Sequence, residues 1–374
     1  MTRPSNVVID LDALRENYKL ARRIHGGRAL AVIKANAYGH GALECARALA
    51  DHVDGFAVAF LDEAVPLRAA GIRQPILILE GVFNDAEMRL ACELDLWLVV
   101  HHEEQIAIIE RSDIPRASLR VWLKLDTGMR RAGFDCAVAE AAYRRLMATG
   151  KVGAITLMTH FACADDPHSA LTREQIQRFD RATAHLEGER SLCNSAGLLW
   201  WPKARRDWAR PGLMLYGIAP EGNVLPNLRP VMTFNSRIFA VRTVQTGEAL
   251  GYGATYIAPR PMRVGLVCAG YADGYPQTAP SGTPVAVAGR RTCIVGRVSM
   301  DMLMVDLTDI PQAREGSEVE LWGRTVPVAE VAKASGRIAY ELVCNVKRVQ
   351  FQYSDSLATT VHDVAALAAC GAHR

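Results

Sequence analysis

Short apolar runs alternate with amphipathic segments over residues 29–216, and this alternation limits the folds that the chain can adopt. Strands that alternate with helices form parallel sheets. Eight such runs favour an α/β fold with a closed (β/α)8 TIM-type barrel. A doubly wound open sheet is the competing interpretation, but it would require a Gly-x-Gly-x-x-Gly motif after the first strand, which the sequence lacks. The predicted strands are 29–34, 55–60, 75–80, 96–100, 120–126, 155–161, 191–195 and 212–216.

The character of the sequence changes after residue 216. Residues 217–227 are rich in turn formers, and the β-branched runs that follow alternate with turns, which predicts a mainly antiparallel β module. We therefore expect a barrel over residues 1–226 and a C-terminal β domain over residues 227–374. Helical spacing of apolar residues predicts a helix over residues 7–20 capped by Asp10 or Asp12, and a short helix over residues 328–334. The alanine-rich tail from Leu357 is predicted to fray.

Composition excludes several classes of function. The net charge of the 374 residues is only +3, and no basic block is present, so we expect no nucleic-acid partner. No apolar run is long enough to span a bilayer, and the N-terminal residues lack the apolar core of a secretory signal. The nine cysteines are scattered without a Cys-x-x-Cys pair, and we predict no metal site. Reduced cysteines and the lack of a signal favour the cytoplasm.

Lys34 ends the first predicted strand, directly after the apolar residues 29–33. A lysine at the end of a buried strand is costly unless it is paired, neutralised or used covalently. Desolvation favours the neutral form of a lysine, and a neutral amine can attack a carbonyl carbon. The alternative is a side chain that extends its ammonium group into solvent, which is the commoner fate of a lysine at this position.

Charged and polar residues recur at or just beyond the ends of the other predicted strands, and in one case just before the last strand. In a closed parallel barrel the C-terminal ends of all strands meet on one face, and active sites lie there. Residues that are distant in sequence would therefore converge. Polar residues follow most strands in any case, so each position carries little weight alone. The candidates are Lys34, Lys124, Arg131, His160, Ser195 and Arg210.

The segment Ala31-Val-Ile-Lys34-Ala-Asn-Ala-Tyr38-Gly-His-Gly41 resembles the cofactor-lysine signature of the alanine racemases, which use pyridoxal phosphate. Segments that resemble other motifs of this family follow in the family's order, almost to the C terminus. The resemblance implies an N-terminal barrel and a C-terminal β domain. It also implies that pyridoxal 5'-phosphate is bound covalently to Lys34 as a Schiff base, and that the freed amine then acts as a base on one face of the substrate Cα.

Two short segments, Asn194-Ser195-Ala196-Gly197 and Arg210-Pro-Gly212-Leu213, are similar to the phosphate-binding segments of the family. Alone, both are equally typical of turns. Arg210 matches the family's ligand of the pyridine nitrogen. Since an arginine only donates hydrogen bonds, it leaves that nitrogen unprotonated and favours proton return over transamination. The resemblance implies that the phosphate contacts come from Tyr38, Ser195, Gly212, Leu213 and Tyr340.

Two further segments match motifs that bind the substrate carboxylate. Leu123-Lys124-Leu-Asp126-Thr-Gly128-Met-Arg-Arg131-Ala-Gly133 implies a carboxylate contact from Arg131, although Ala132 replaces a more usual bulky aliphatic residue. Lys124 matches a lysine that carbon dioxide carbamylates in many members, and a carbamate there would offset two neighbouring positive charges. Val295-Gly-Arg297-Val-Ser-Met300-Asp301 implies that the backbone N–H of Met300 also binds the carboxylate.

A racemase needs a second acid/base group on the opposite face of Cα. Ala269-Gly270-Tyr271-Ala-Asp273-Gly274-Tyr275 resembles the family segment that carries this group, which implies Tyr271. His160 matches the histidine that links this tyrosine to Arg210. In the family, the residues matching Tyr271 and Met300 reach the site of the other subunit, which implies a homodimer with shared active sites.

The implied activity is the interconversion of L-alanine and D-alanine, either to supply D-alanine for peptidoglycan or to feed alanine catabolism. A barrel-type pyridoxal-phosphate amino-acid decarboxylase is one alternative, but such enzymes usually carry a Gly-Gly-Gly phosphate loop and a cysteine motif in the β domain. This sequence has no Gly-Gly-Gly. A non-catalytic pyridoxal-phosphate carrier is another alternative, but carriers have the barrel alone.

Overall fold

The structure, a computed structural model, describes residues 3–220, 225 and 227–356. The strands are β1 Asn6–Asp10, β2 Arg28–Val32, β3 Gly55–Val58, β4 Ile76–Ile78, β5 Trp97–Val100, β6 Leu119–Asp126, β7 Phe134–Asp135, β8 Val152–Met158, β9 Glu189–Ser191, β10 Trp208–Ala209, β11 Met232–Val244, β12 Ala249–Leu250, β13 Tyr256–Ile257, β14 Met262–Val267, β15 Pro284–Val287, β16 Arg290–Cys293, β17 Leu303–Asp306, β18 Glu318–Trp322 and β19 Gln350–Ser354. The helices are α1 Leu11–His25, α2 Lys34–Gly39, α3 Ala42–Leu49, α4 Leu61–Ala69, α5 Asp85–Glu93, α6 Glu103–Arg111, α7 Ala139–Ala148, α8 Ala170–Thr183, α9 Ser195–Trp200, α10 Val328–Ala334 and α11 Ala339–Cys344.

Eight parallel strands close into a barrel in the order β2, β3, β4, β5, β6, β8, β9 and β10, and β10 pairs back with β2. Every residue of β3 and β4 is buried, as expected for strands covered on both faces. Because the sheet closes on itself, the predicted (β/α)8 barrel is confirmed and the open-sheet alternative is wrong.

The last two barrel strands lie earlier in the chain than predicted. The seventh is Glu189–Ser191 rather than 191–195, and the eighth is Trp208–Ala209 rather than 212–216. Leu213–Tyr216 instead forms a 3-10 turn. A buried apolar run this short shows no periodicity, so the sequence alone cannot distinguish a strand from a helical turn here. As a result Arg210 directly follows the last strand, where the C-terminal face of the barrel lies.

The predicted helix over residues 7–20 is wrong in its first part. Residues Asn6–Asp10 form β1, in which Val7 and Ile9 are fully buried and alternate with half-exposed neighbours. Helix α1 begins at Leu11, and Asp10 Oδ1 accepts a hydrogen bond from Ala13 N at 2.8 Å. Asp10, rather than Asp12, therefore caps the helix.

The β domain is built mainly on one sheet with the strand order β16, β15, β18, β11, β1 and β19, in which β14 pairs with β11 and β17 pairs with β14; β12 and β13 form a separate two-stranded sheet. All pairs are antiparallel except β1 with β19. Within its core, Trp322 stacks on Tyr275 and meets Phe234 edge-on. The mainly antiparallel β domain and its short helix α10 confirm the predictions. The tail from Leu357 lies outside the described residues.

The chain separates into two units, the barrel unit around Asn17–Leu215 and the β unit, which contains the chain from Leu228 and the segment up to Glu16. The predicted division after residue 226 differs from this in two places, because the N-terminal segment and Tyr216–Ile218 belong to the β unit. For the N-terminal segment, the physical reason is the pairing of β1 with β11 and β19. Among the described residues, no helix combines the length and apolar composition that crossing a membrane requires.

Candidate active site

Five of the predicted site residues lie where barrel strands end. Lys34 opens α2 just after β2, Lys124 lies in the C-terminal half of β6, and His160 follows β8. Ser195 opens α9 after β9, and Arg210 follows β10. The closed barrel brings all five to its C-terminal face, as predicted.

The turn that follows Lys34 is left-handed. Ala35, Asn36, Ala37 and Tyr38 have φ between 52° and 54° and ψ between 40° and 50°. A left-handed conformation costs an L-residue roughly 1–2 kcal/mol, and four consecutive residues of this kind are rare. Such strain persists only where the surroundings impose it, and it is typical of functional sites.

Hydrogen bonds from both sides hold this turn. His40 is fully buried, and its Nδ1 lies 3.0 Å from Ala37 O and 2.9 Å from Tyr38 O. Burial lowers the pKa of His40 to about 4, so the ring is neutral at neutral pH and its Nδ1–H donates to both carbonyls. On the far side, Asn36 Oδ1 accepts from Ala42 N at 2.8 Å.

Hydroxyl and backbone groups form a cradle beside this turn. Ser195 Oγ accepts from Gly212 N at 3.0 Å and from Met214 N at 3.3 Å. The Tyr38 hydroxyl packs so closely on Gly212 that a methyl group at residue 212 would stand 2.4 Å from Oη. Leu213, the residue after Gly212, is buried. Backbone N–H groups and hydroxyls of this kind suit a phosphate.

Arg210 is buried and fixed by several acceptors. Its Nη1 donates to Ser191 O at 3.0 Å and to Ser191 Oγ at 2.5 Å. Its Nη2 donates to Thr159 O at 2.6 Å and lies 3.4 Å from His160 Nδ1. Burial lowers the pKa of Arg210 to about 10, so the side chain is still protonated at neutral pH. The predicted contact between Arg210 and His160 is present.

Positive charge accumulates at this face. Burial lowers the pKa of Lys124 to about 8; Glu80 opposes this shift, while Arg131, Arg210 and Lys34 add to it. Burial, and then Arg210, hold the pKa of His160 well below its usual range, which leaves the ring neutral. An anionic ligand would compensate this cluster.

Tyr271 and Met300 lie together in the β unit. Tyr271 opens a 3-10 turn, Tyr271–Asp273, and its N–H donates to Ser299 O at 3.1 Å. Ala272 N donates to Met300 O at 3.0 Å. Tyr271 and Met300 are 37% and 53% exposed. Tyr340, the remaining predicted phosphate ligand, lies on α11 of the same unit.

Sequence reasoning missed three residues that support the barrel site. Glu80 ends a predicted strand, so the strand-end pattern could have indicated it. Gln175 on α8 is fully buried and bonds Thr127 Oγ1, His160 O and Ala162 N. Glu63 on α4 accepts a hydrogen bond from Ala35 N. No signal marked Gln175 or Glu63, because polar residues are common on every helix surface.

The fold and the gathered side chains define a (β/α)8-barrel enzyme with an attached β domain. Residues 9–220 match the family model described as alanine racemase, N-terminal domain, and residues 231–353 match the one described as alanine racemase, C-terminal domain. The chain belongs to the alanine racemase family and is an isomerase.

Individual relatives agree over nearly the whole length. An alanine racemase of Azoarcus sp. (strain BH72) is 61% identical over 354 residues, which cover 94% of this chain and 99% of that protein. The biosynthetic alanine racemase of Pseudomonas aeruginosa has a TM-score of 0.91 at 48% identity and covers 95% of this chain and 100% of that one. The alanine racemase of Bartonella henselae with covalently bound pyridoxal phosphate has a TM-score of 0.85 at 26% identity, with 94% and 99% covered.

Proposed function

We propose that the chain interconverts L-alanine and D-alanine with pyridoxal phosphate attached to Lys34. The observation that carries the proposal is the position of this half-buried lysine. It stands at the end of β2 and opens a turn whose Tyr38 reaches the cradle of Ser195 and Gly212. A lysine joined to a phosphate cradle by four residues is what a phosphorylated aldehyde cofactor needs.

The residues present fit this cofactor. Tyr38, Ser195, Gly212 and Leu213 would hold its phosphate, and Tyr340, which matches a further phosphate ligand of the family, would add a contact. Burial, and then the excess positive charge, lower the pKa of Lys124 and His160, and this charge suits a ligand with an anionic phosphate. When bound, pyridoxal phosphate withdraws electrons from the Cα–H bond of an attached amino acid.

Proton transfer at Cα falls to two side chains. Lys34 would take or return the proton on the D side, and the phenol of Tyr271 would do so on the L side. Arg210, fixed by Ser191 and Thr159, would donate a hydrogen bond to the ring nitrogen without protonating it. Because the ring nitrogen then stays unprotonated, return of the proton to Cα is favoured over transamination.

The substrate carboxylate would be bound by Arg131 and by the backbone N–H of Met300. We propose that Lys124 is carbamylated, because its lowered pKa of about 8 increases the fraction of neutral amine that can attack carbon dioxide at neutral pH. In that step the amine nitrogen bonds the carbon of CO2 and loses a proton. The resulting anion would orient Arg131.

We propose a homodimer in which each β unit supplies Tyr271 and Met300 to the partner's site. Support comes from the exposure of both side chains, which is unusual for residues expected to act in catalysis. A cytoplasmic location is supported by the free thiols of all eight cysteines that the structure describes. A deletion strain that requires D-alanine would place the enzyme in peptidoglycan supply, whereas loss of growth on L-alanine would place it in catabolism.

Proton NMR of L-alanine in D2O, with protein and pyridoxal phosphate, tests the activity. We expect loss of the Cα proton and the appearance of D-alanine on chiral analysis. Lys34→Ala should abolish both, and Lys333→Ala, an exposed lysine on α10, should abolish neither. Exchange without D-alanine would contradict Tyr271 as the second base. Release of CO2 would favour the decarboxylase, and cofactor binding without exchange would favour the carrier.

A further inference from the structure

Glu63 is bound to two separate parts of the barrel edge. It lies in the first turn of α4, and its Oε1 accepts a hydrogen bond from Ala35 N at 2.6 Å. Its Oε2 accepts from Ala59 N at 2.7 Å and from Phe60 N at 3.4 Å. One carboxylate therefore joins the residue after Lys34 to the residues after β3.

The hydrogen bond from Ala35 N to Glu63 lies where the backbone enters the left-handed conformation. Ile33 still bonds to the neighbouring barrel strand, because its N–H donates a hydrogen bond to Ala57 O at 2.9 Å. Two residues later the chain is left-handed, with φ of 52° at Ala35. The carboxylate accepts the first N–H of the left-handed turn, and thus fixes the direction in which the chain leaves Lys34.

Only a carboxylate can make this set of bonds. An ionised glutamate has two acceptor oxygens, whereas the amide of a glutamine has one acceptor oxygen and an NH2 group that would face a donor. Bonds to an ionised acceptor are also stronger than neutral ones. The bond from Phe60 alone would be ordinary capping of α4, but capping does not explain the bond to Ala35.

We propose that Glu63 is a positioning residue that sets the left-handed turn and thereby places the Lys34 amine and the Tyr38 hydroxyl. This inference rests on the proposed function for its catalytic consequence only. The turn contains both the proposed attachment point of the cofactor and one of its phosphate contacts. Loss of the Ala35 bond should therefore disturb both ends of the same ligand.

Glu63→Gln, compared with Glu87→Gln, tests the proposal. Glu87 is a matched control because it lies in the first turn of α5, as Glu63 does in α4, and its carboxylate accepts a hydrogen bond from Phe83 N at 2.8 Å rather than from the lysine turn. In Glu63→Gln we expect hydrogen exchange of the Ala35 amide to accelerate at least about tenfold in the protein without cofactor. We also expect the affinity of the protein for the cofactor to fall roughly 10- to 100-fold. The kcat of the loaded enzyme should fall by a similar factor, with its KM for alanine little changed. Glu87→Gln should change none of these.

A rescue variant keeps the test decisive if Glu63→Gln is poorly stable. Glu63→Gln combined with Ala35→Gly should recover part of the cofactor affinity, since glycine adopts positive φ without the carboxylate. If Glu63→Gln matches Glu87→Gln in amide exchange, cofactor affinity and kcat, Glu63 is only a helix cap. If the wild type binds cofactor but does not racemise alanine, the proposed function fails, while amide exchange and cofactor affinity still decide the role of Glu63.

Discussion

His40 makes the stability of the lysine turn sensitive to pH. Burial lowers its pKa from 6.5 to about 4, so the unfolded chain binds a proton at pH values where the folded chain does not. Its contribution to stability is therefore complete above about pH 6.5 and is lost as the pH falls toward 4. The difference between these pKa values corresponds to about 3 kcal/mol.

His40→Asn should remove this dependence, because an asparagine NH2 can replace the Nδ1–H donor and does not titrate. Between about pH 7 and pH 4, the wild type should lose about 3 kcal/mol of unfolding free energy relative to the variant. Urea unfolding of the cofactor-free protein at several pH values measures it. A difference that does not vary with pH would show that His40 does not titrate during unfolding.

Gly212 is required by the side chain opposite it. A methyl group at residue 212 would stand 2.4 Å from the Tyr38 hydroxyl and 3.0 Å from its ring carbon Cζ. Gly212→Ala should therefore destabilise the protein by about 1–3 kcal/mol and weaken cofactor binding. Adding Tyr38→Phe removes the nearer atom and should restore part of the stability, measured by thermal unfolding. Strictly additive effects of the two substitutions would contradict this contact.

At the residue scale, the sequence predicts the polar groups that the barrel gathers but not those that hold them. Lys34, Lys124, His160 and Ser195 lie at or near the ends of predicted strands, so the barrel rule places them together. Arg210 lies just before the last predicted strand, and it joins the others because the observed strand, Trp208–Ala209, lies earlier in the chain. Glu63 and Gln175 act from helices, where a polar residue is the usual one. Their roles depend on which backbone groups lie across from them, and that is decided by tertiary packing.

At the scale of the elements, the left-handed turn contains a position where replacing alanine by glycine should stabilise the protein, whereas the same substitution destabilises an ordinary helix. Ala35 is exposed and has φ of 52°, so glycine removes a steric cost there. Part of the gain is offset by the larger entropy of glycine in the unfolded chain. Ala35→Gly should therefore stabilise the protein by up to about 1 kcal/mol.

Ala141→Gly is the matched control, because Ala141 is exposed in the right-handed helix α7. The same substitution should there destabilise by about 1 kcal/mol. Urea unfolding of both variants measures the contrast. Destabilisation of equal size at both positions would mean that Ala35 does not adopt the left-handed conformation in solution.

Elements with clear periodicity or length were predictable, and short ones were not. The buried strands β2 to β6 and β8 read as apolar runs of the expected length. Strand β10 has only two residues, Trp208–Ala209, and carries no pattern. The apolar run that follows, residues 212–216, has the length and composition of a buried strand and therefore predicts one in the wrong place. Strand β1 could not be predicted, because the spacing of its apolar residues Val7 and Ile9 continues into the helical spacing of α1 and fits one longer helix.

At the scale of the whole molecule, β1 shows that domains assigned as continuous stretches of sequence can omit a distant segment. The N-terminal strand lies between β11 and β19, more than 200 residues away in each case, so its partners cannot be inferred from neighbouring sequence. The change from alternating strands and helices to turn formers and β-branched runs after residue 216 can be seen in the sequence without knowledge of long-range pairing. Assignment of the N-terminal segment depended on long-range pairing.

The proposed shared site makes one prediction that a monomeric site cannot satisfy. Lys34→Ala and Tyr271→Phe should each be inactive alone, because each removes one of the two proton-transfer groups from every site. A mixed dimer has one site with both substitutions and one with neither, so the second works. Unfolding and refolding equal amounts together should give about half mixed dimers and hence about a quarter of the wild-type activity per site. Two Lys34→Ala chains refolded together control for residual activity. No recovery, with mixed dimers present by native mass spectrometry, would place Lys34 and Tyr271 of one chain in the same site and contradict the exchange of Tyr271 between subunits.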